Sequence, residues 1–191
     1  MVAPLPVSEP LAPVPPPAPP KSVVGWNILA LLVALVAVGG SLWLSLGANY
    51  VPCPLCFYQR SFALGAAAVL LLALIGEDRG SASASLFALV LASAGLATAA
   101  FHVYLESTGR LECPAGWLDI GTAPQQSLAV HALLVILLAI AGMRRPAMIV
   151  AVVLGGVVAL AAITSAPKLP NPPDKAYPPG PILTCRPPYP G

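Results

Sequence analysis

The chain has 191 residues, of which 58% are hydrophobic and only 8% charged, with a formal net charge of +2 and a mean hydropathy of +0.85. Soluble domains carry about 25% charged residues, so this surface does not match water and lipid is the expected solvent for most of the chain. The small net charge gives no electrostatic footing for nucleic-acid binding, and no stretch outside the apolar runs is long enough to bury a soluble core.

Most of the 24 prolines fall in residues 4–20 and 167–190, and both ends read as extended, mobile polyproline-type segments. Residues 1–22 carry one charge before Lys21 and lack a basic stretch ahead of a short apolar core. A cleaved signal peptide is therefore not expected, and the segment reads as a disordered, Pro-rich cytoplasmic arm. The run at 23–46 is long enough to be a membrane anchor, since roughly 20 helical residues cross the hydrocarbon layer. Four more candidate spans follow, near 57–75, 86–105, 128–143 and 147–163. Each should be helical, because lipid offers backbone N–H and C=O groups no partners. Breaks are expected at Gly76-Glu77-Asp78-Arg79-Gly80 and at Arg144-Arg145-Pro146, the second marking a turn at a membrane surface rather than two arginines at mid-bilayer. A re-entrant segment is the competing reading of the last two runs. Gly39-Gly40 and Gly155-Gly156 read as close helix-packing surfaces. The division is then an N-terminal segment 1–22, a helical transmembrane domain 23–167 and a Pro-rich tail 168–191.

Five spans place the segments after the first, third and fifth on one side of the membrane. Those segments hold Cys53 and Cys56, Cys113, and Cys185, so all four cysteines are expected to share one face. Arg144-Arg145 in a short loop favours a cytoplasmic opposite face. An even number of cysteines confined to one side favours the oxidising, extracytoplasmic side.

The stretch Pro52-Cys53-Pro54-Leu55-Cys56-Phe57-Tyr58-Gln59-Arg60 carries the chemistry. A helix starting at Pro54 would put proline where its missing N–H costs nothing and Cys53 at the cap, near free N–H groups that favour a thiolate. Cys56 and Arg60 share a helical face at i, i+4. Arg60 could stabilise a Cys56 thiolate, polarise a ligand carbonyl, or merely snorkel to the interface. The pair alone could also be a metal clip. Cys113 lies in a polar loop with Trp117 as an interfacial anchor, and Cys185 lies in the tail. Four cysteines allow three connectivities; Cys113 with Cys185 is the expected one, as an exchanging disulfide or as a staple of the tail. His102, near the outer end of the third span, could bond a ligand carbonyl or serve as a polar contact. His131 reads as a packing group.

Cys53-Pro-Leu-Cys-Phe-Tyr-Gln-Arg60 opening a membrane helix resembles the Cys-x-x-Cys-x-x-x-Arg signature of the DsbB-type disulfide-forming membrane oxidoreductases. Phe101-His102-Val103-Tyr104-Leu105-Glu106 and Glu112-Cys113-Pro114 are similar to that family's third helix end and following loop. The resemblance covers about residues 23–143. It implies an all-α membrane protein with a DsbB-like four-helix bundle in the bacterial inner membrane, to which the last apolar run of this chain adds a fifth transmembrane helix. It further implies reoxidation of a DsbA-like thioredoxin-fold thiol oxidase with electrons passed to a quinone, ubiquinone or menaquinone. By position, Cys56 would be the quinone-side cysteine and Cys53 the one exchanging with the second pair. Arg60 would contact the quinone together with Cys56, His102 would be a further candidate there, and Cys113 would meet the reduced partner. The family keeps both second-pair cysteines in one loop, whereas here Cys185 follows the extra helix. A vitamin K epoxide reductase-like enzyme would place its quinone-side pair late in the chain, and a membrane metal-binding or transport protein would use four thiolates as a metal site. No metal is assigned.

Overall fold

The computed structural model describes residues 21–76, 82–142 and 145–190. The first 20 residues, most of the expected break at 77–80, and Arg144 lie outside the described residues. Among the described residues five helices run in chain order: α1 (Lys21–Leu46), α2 (Pro54–Ile75), α3 (Ala82–Ser107), α4 (Ala123–Gly142) and α5 (Arg145–Ser165), with a short 3-10 turn at Trp117–Asp119. All five are long and apolar enough to cross a membrane, and among the described residues there are no strands, only two isolated bridges. The protein is an all-α membrane protein, a four-helix bundle with a fifth spanning helix.

The bundle is built around α3. Half of its span is buried, against 22–28% for the other four, and it packs against α2, α4 and α5, while α1 closes the ring against α2 and α4. Small residues let the helices approach: Ala66, Ala67, Ala88, Ala92 and Ala30 are buried among Leu70, Leu89, Leu134 and Leu138. Without a hydrophobic drive between helices in lipid, close packing of this kind supplies much of the association. Leu72, Phe87, Ile136 and Val157 point outward and are exposed, the apolar exterior that lipid requires.

The glycine pairs divide. A Cβ at Gly155 would lie 2.6 Å from the Val90 carbonyl oxygen and from Ser93 Cβ, so α5 meets α3 there through backbone. Gly39, Gly40 and Gly156 have nothing within 4 Å of a built Cβ, so the expectation that they form packing surfaces is corrected.

Helix ends draw the cysteines together. α3 ends at Ser107, the chain turns at Gly109, whose φ of +68° suits glycine, and the Arg110 N–H returns to the Leu105 carbonyl at 2.9 Å. The loop to α4 closes through Gln126, which accepts from the Trp117 N–H and donates to the Trp117 and Ile120 carbonyls, all at 2.8 Å. The tail is not loose where it matters. Glu112 and Arg186 exchange backbone hydrogen bonds at 2.7 and 3.0 Å, and the Val51 N–H donates to the Leu183 carbonyl at 2.9 Å. Arg186 also stacks on Tyr177 at 3.8 Å and pairs with Glu112 at 3.7 Å. The reading of this part of the tail as mobile polyproline is corrected by these non-local contacts.

Candidate functional site

Cys53 caps α2. Its backbone is extended, Pro54 follows at the first helical position, and its Sγ accepts the Cys56 N–H at 3.3 Å. The two-residue spacing thereby sets both sulfurs on the first turn, 3.1 Å apart as a dithiol. The Cys53 thiol is held well below the usual thiol range. A hydrogen bond from the Cys56 thiol is the main cause, with His102 and the Cys56 N–H adding to it against the opposing effect of burial.

Cys113 and Cys185 are joined by a disulfide that spans 72 positions of sequence, with Cα atoms 4.2 Å apart. This is one of the three connectivities open at the sequence level, and the one expected there. Both sulfurs pack with Leu55, Leu105 and Leu111 against Cys53.

His102, fully buried on α3, stands between the two pairs. Its Nε2 lies 3.4 Å from Cys113 Sγ and 3.8 Å from Cys53 Sγ, and its Nδ1 lies 4.0 Å from Cys56 Sγ. The Gln59 amide N–H donates to Nδ1 at 3.2 Å, which leaves the ring proton on Nε2, facing the sulfurs. Gln59, buried within the motif itself, was not singled out from sequence; a polar residue one helical turn past Cys56 was the available signal.

Arg60 turns the other way. Its Nε donates to Ser41 Oγ at 2.9 Å, and Nη2 donates to the Ser41 carbonyl at 2.8 Å and to Ser45 Oγ at 2.7 Å. Ser41 and Ser45, one turn apart in an apolar helix, are further residues that the sequence reading passed over. Arg60 and Cys56 line a cavity of about 190 Å³ between α1, α2 and α4, walled by Val36, Leu44, Ala63 and Val130. His102 does not line it; the structure sets this residue among the sulfurs and away from the Arg60 cavity. His131 does line it. Its Nδ1–H donates to the Ser127 carbonyl at 2.8 Å, and Gly95 makes room for its ring, which a Cβ there would overlap.

Cys53, Cys56, His102 and Cys185 bring their sulfur and nitrogen atoms within 4.8 Å of one another. That set has the composition of a metal site, but Cys185 Sγ is bonded to Cys113 and is no thiolate donor. The arrangement is instead suited to moving a disulfide from one pair to the other.

The family described as Disulfide bond formation protein DsbB matches residues 24–129, more than half of the chain. The chain belongs to the DsbB family. Among relatives, Disulfide bond formation protein B 2 of Burkholderia lata is 36% identical over 89 residues, covering 46% of this chain and 52% of the relative. Disulfide bond formation protein B of Cupriavidus necator is 36% identical over 86 residues, covering 44% and 53%. A probable disulfide formation protein of Metapseudomonas resinovorans is 29% identical over 141 residues, covering 66% of this chain and 96% of the relative. The chain thus spans about half the length of the Burkholderia and Cupriavidus members of the DsbB family that it matches. No solved structure matches it. The matched segment holds Cys53, Cys56, Arg60, His102 and Cys113, and ends before α5 and Cys185.

Proposed function

We propose that the protein is a protein-dithiol:quinone oxidoreductase of the bacterial inner membrane that reoxidises a DsbA-like thioredoxin-fold thiol oxidase. In this reading residues 1–22 are cytoplasmic, 23–167 form the transmembrane domain, and the tail 168–191 and all four cysteines face the extracytoplasmic side. The observation that carries the reading is the pair of cysteine pairs around one buried imidazole, with Cys56 also bordering the cavity that holds Arg60. A disulfide in the outer pair favours redox exchange over a thiolate metal site.

Cys113–Cys185 accepts reducing equivalents from the partner, and Cys53–Cys56 accepts them from Cys113 and Cys185. Each exchange needs a thiolate and a stabilised leaving sulfur. The helix cap and the Cys56 contact keep Cys53 ionised, and the Nε2–H of His102 supports whichever sulfur leaves beside it. The cavity beside Cys56 fits a quinone: its walls are apolar, and Arg60 Nη1 makes no hydrogen bond among the described residues. Arg60 and Cys56 would hold the ring there, with Ser41 and Ser45 fixing the guanidinium. When bound, a quinone supplies an acceptor for the two electrons and two protons released as the Cys53–Cys56 dithiol closes to a disulfide.

Purified protein mixed with reduced partner and a soluble ubiquinone is expected to form one quinol per partner disulfide, followed by the loss of quinone absorbance. No quinol, or stoichiometric metal with four free thiols, would overturn the reading. Arg60→Gln should weaken quinone binding by ~10–100-fold, the worth of a hydrogen bond from a charged group, while transfer from partner to Cys113–Cys185 persists. Unchanged quinone affinity by fluorescence titration would take Arg60 out of the site.

A further inference from the structure

We propose that Cys185, and not Cys113, is the sulfur that takes the partner's thiolate, and that the cavity beside it receives a cysteine-bearing segment of that partner with an acidic residue near the cysteine. The inference rests on the dithiol-oxidase reading above and concerns which sulfur faces outward. Cys113 is 8% exposed and sits in the apolar cluster of Leu55, Leu105 and Leu111. Cys185 is only partly buried, and with Cys53 it lines a second cavity of about 430 Å³ from which Cys113 is absent. Thiol–disulfide exchange depends on which sulfur an incoming thiolate can reach, so access selects Cys185. That volume lies in the usual range for sites that enclose a small group, enough for a loop tip carrying a cysteine.

The leaving side agrees with the access side. Attack on Cys185 expels Cys113, whose sulfur is 3.4 Å from the Nε2–H of His102, so the departing thiolate meets a donor. The charges agree as well. Arg110 and Lys168 line the same cavity and are exposed, and neither is in an ion pair among the described residues, where Arg186 with Glu112 is the one pair found. Two unpaired cations at the mouth draw an anion inward and raise the thiolate fraction of an approaching thiol. Phe101, Leu111 and Leu169 give the wall its apolar part.

The exchange balances. The partner thiolate bonds to Cys185 Sγ as the Cys113–Cys185 bond breaks and the electron pair leaves on Cys113. The partner's second thiol, losing its proton, attacks its own sulfur in the mixed disulfide and releases Cys185 as a thiolate. The partner has given up two electrons and two protons to the Cys113/Cys185 dithiol. Cys185 Sγ, within 4.8 Å of Cys53 Sγ and Cys56 Sγ, can then attack Cys53, with Cys56 leaving. Cys113 attacks Cys185 to restore the outer disulfide and frees Cys53 as a thiolate. The family-matched segment ends at residue 129, so the sulfur that meets the partner comes from the part of this chain that lies beyond it.

The test uses the full chain in detergent with a reduced thioredoxin-fold oxidase whose resolving cysteine is serine, acid quenching and non-reducing peptide mapping. The partner is expected on Cys185. Trapping on Cys113, with quinol formation by the intact partner preserved, would overturn the inference and leave the dithiol-oxidase reading standing. No trapping together with no quinol would remove both. Two single-cysteine peptides, one flanked by aspartate and one by lysine, probe the mouth. The acidic peptide should react about 10-fold faster at low salt, and Arg110→Glu with Lys168→Glu should cancel that preference while quinone affinity stays unchanged. Equal rates for both peptides in detergent would refute the acidic-segment assignment. A preference that vanishes only in phosphatidylglycerol vesicles would assign the basic rim to lipid headgroups and would likewise refute it.

Discussion

Replacing His102 with asparagine is expected to slow transfer between the two cysteine pairs by ~10²–10⁴-fold, the usual contribution of a positioned proton donor. The imidazole holds Nε2–H toward Cys113 and Cys53 because Gln59 occupies Nδ1, and asparagine does not reach both sulfurs from the same backbone position. A purely structural role would lower stability and leave thiol chemistry alone, so the deciding readout is alkylation of the reduced protein against pH. The folded Cys53 thiol lies below its ordinary range, so its thiolate persists above the depressed value and is lost as pH falls through it. Removing His102 takes away one of the causes, and the midpoint for Cys53 alkylation should move up. It should stay below that of a free thiol, because the larger cause, the hydrogen bond from Cys56, remains. An unmoved midpoint and an unchanged transfer rate would reduce His102 to packing.

The position of His102 marks where sequence reasoning stopped. Its depth in the membrane follows from counting along α3, but its azimuth depends on how α3 rotates against α2 and on the first turn of α2, which no local pattern encodes. The family resemblance suggests it for the quinone site, and the structure sets it among the sulfurs, outside the cavity that Arg60 lines. Arg60 was legible as an arginine needing partners, yet Ser41 and Ser45 were visible only as two hydroxyls in an apolar run. The spans themselves were clear, since hydropathy and length dictate them. Their ends were less so. The expected spans begin at 86 and 128, whereas α3 starts at Ala82 and α4 at Ala123, because Ser85 is buried facing Asn27 and Gln126 ties down the preceding loop. The tail was misread for a related reason. Proline content describes a chain in isolation, and what fixes residues 177–187 is the pairing of Arg186 with Glu112, two residues far apart in sequence.

That pairing depends on where α5 ends, which makes Gly155 the position with the largest expected effect on the fold. Gly155→Leu should destabilise the protein by about 1–3 kcal/mol or more, because the new side chain meets the Val90 carbonyl and the Ala94 backbone nitrogen, atoms that cannot rotate away. The next residue supplies the control. Gly156 faces open space, so Gly156→Leu should be tolerated in a lipid-facing helix, although both changes replace a glycine with the same residue. Thermal unfolding in detergent gives the first comparison. The second is chemical: with α5 displaced from α3, the tail starts from the wrong place, and the fraction of protein holding the Cys113–Cys185 disulfide should fall in Gly155→Leu alone. Equal stability and equal disulfide content in the two variants would mean that α5 does not need its close seat on α3. The fifth helix would then carry Cys185 to the site by tether length and not by packing.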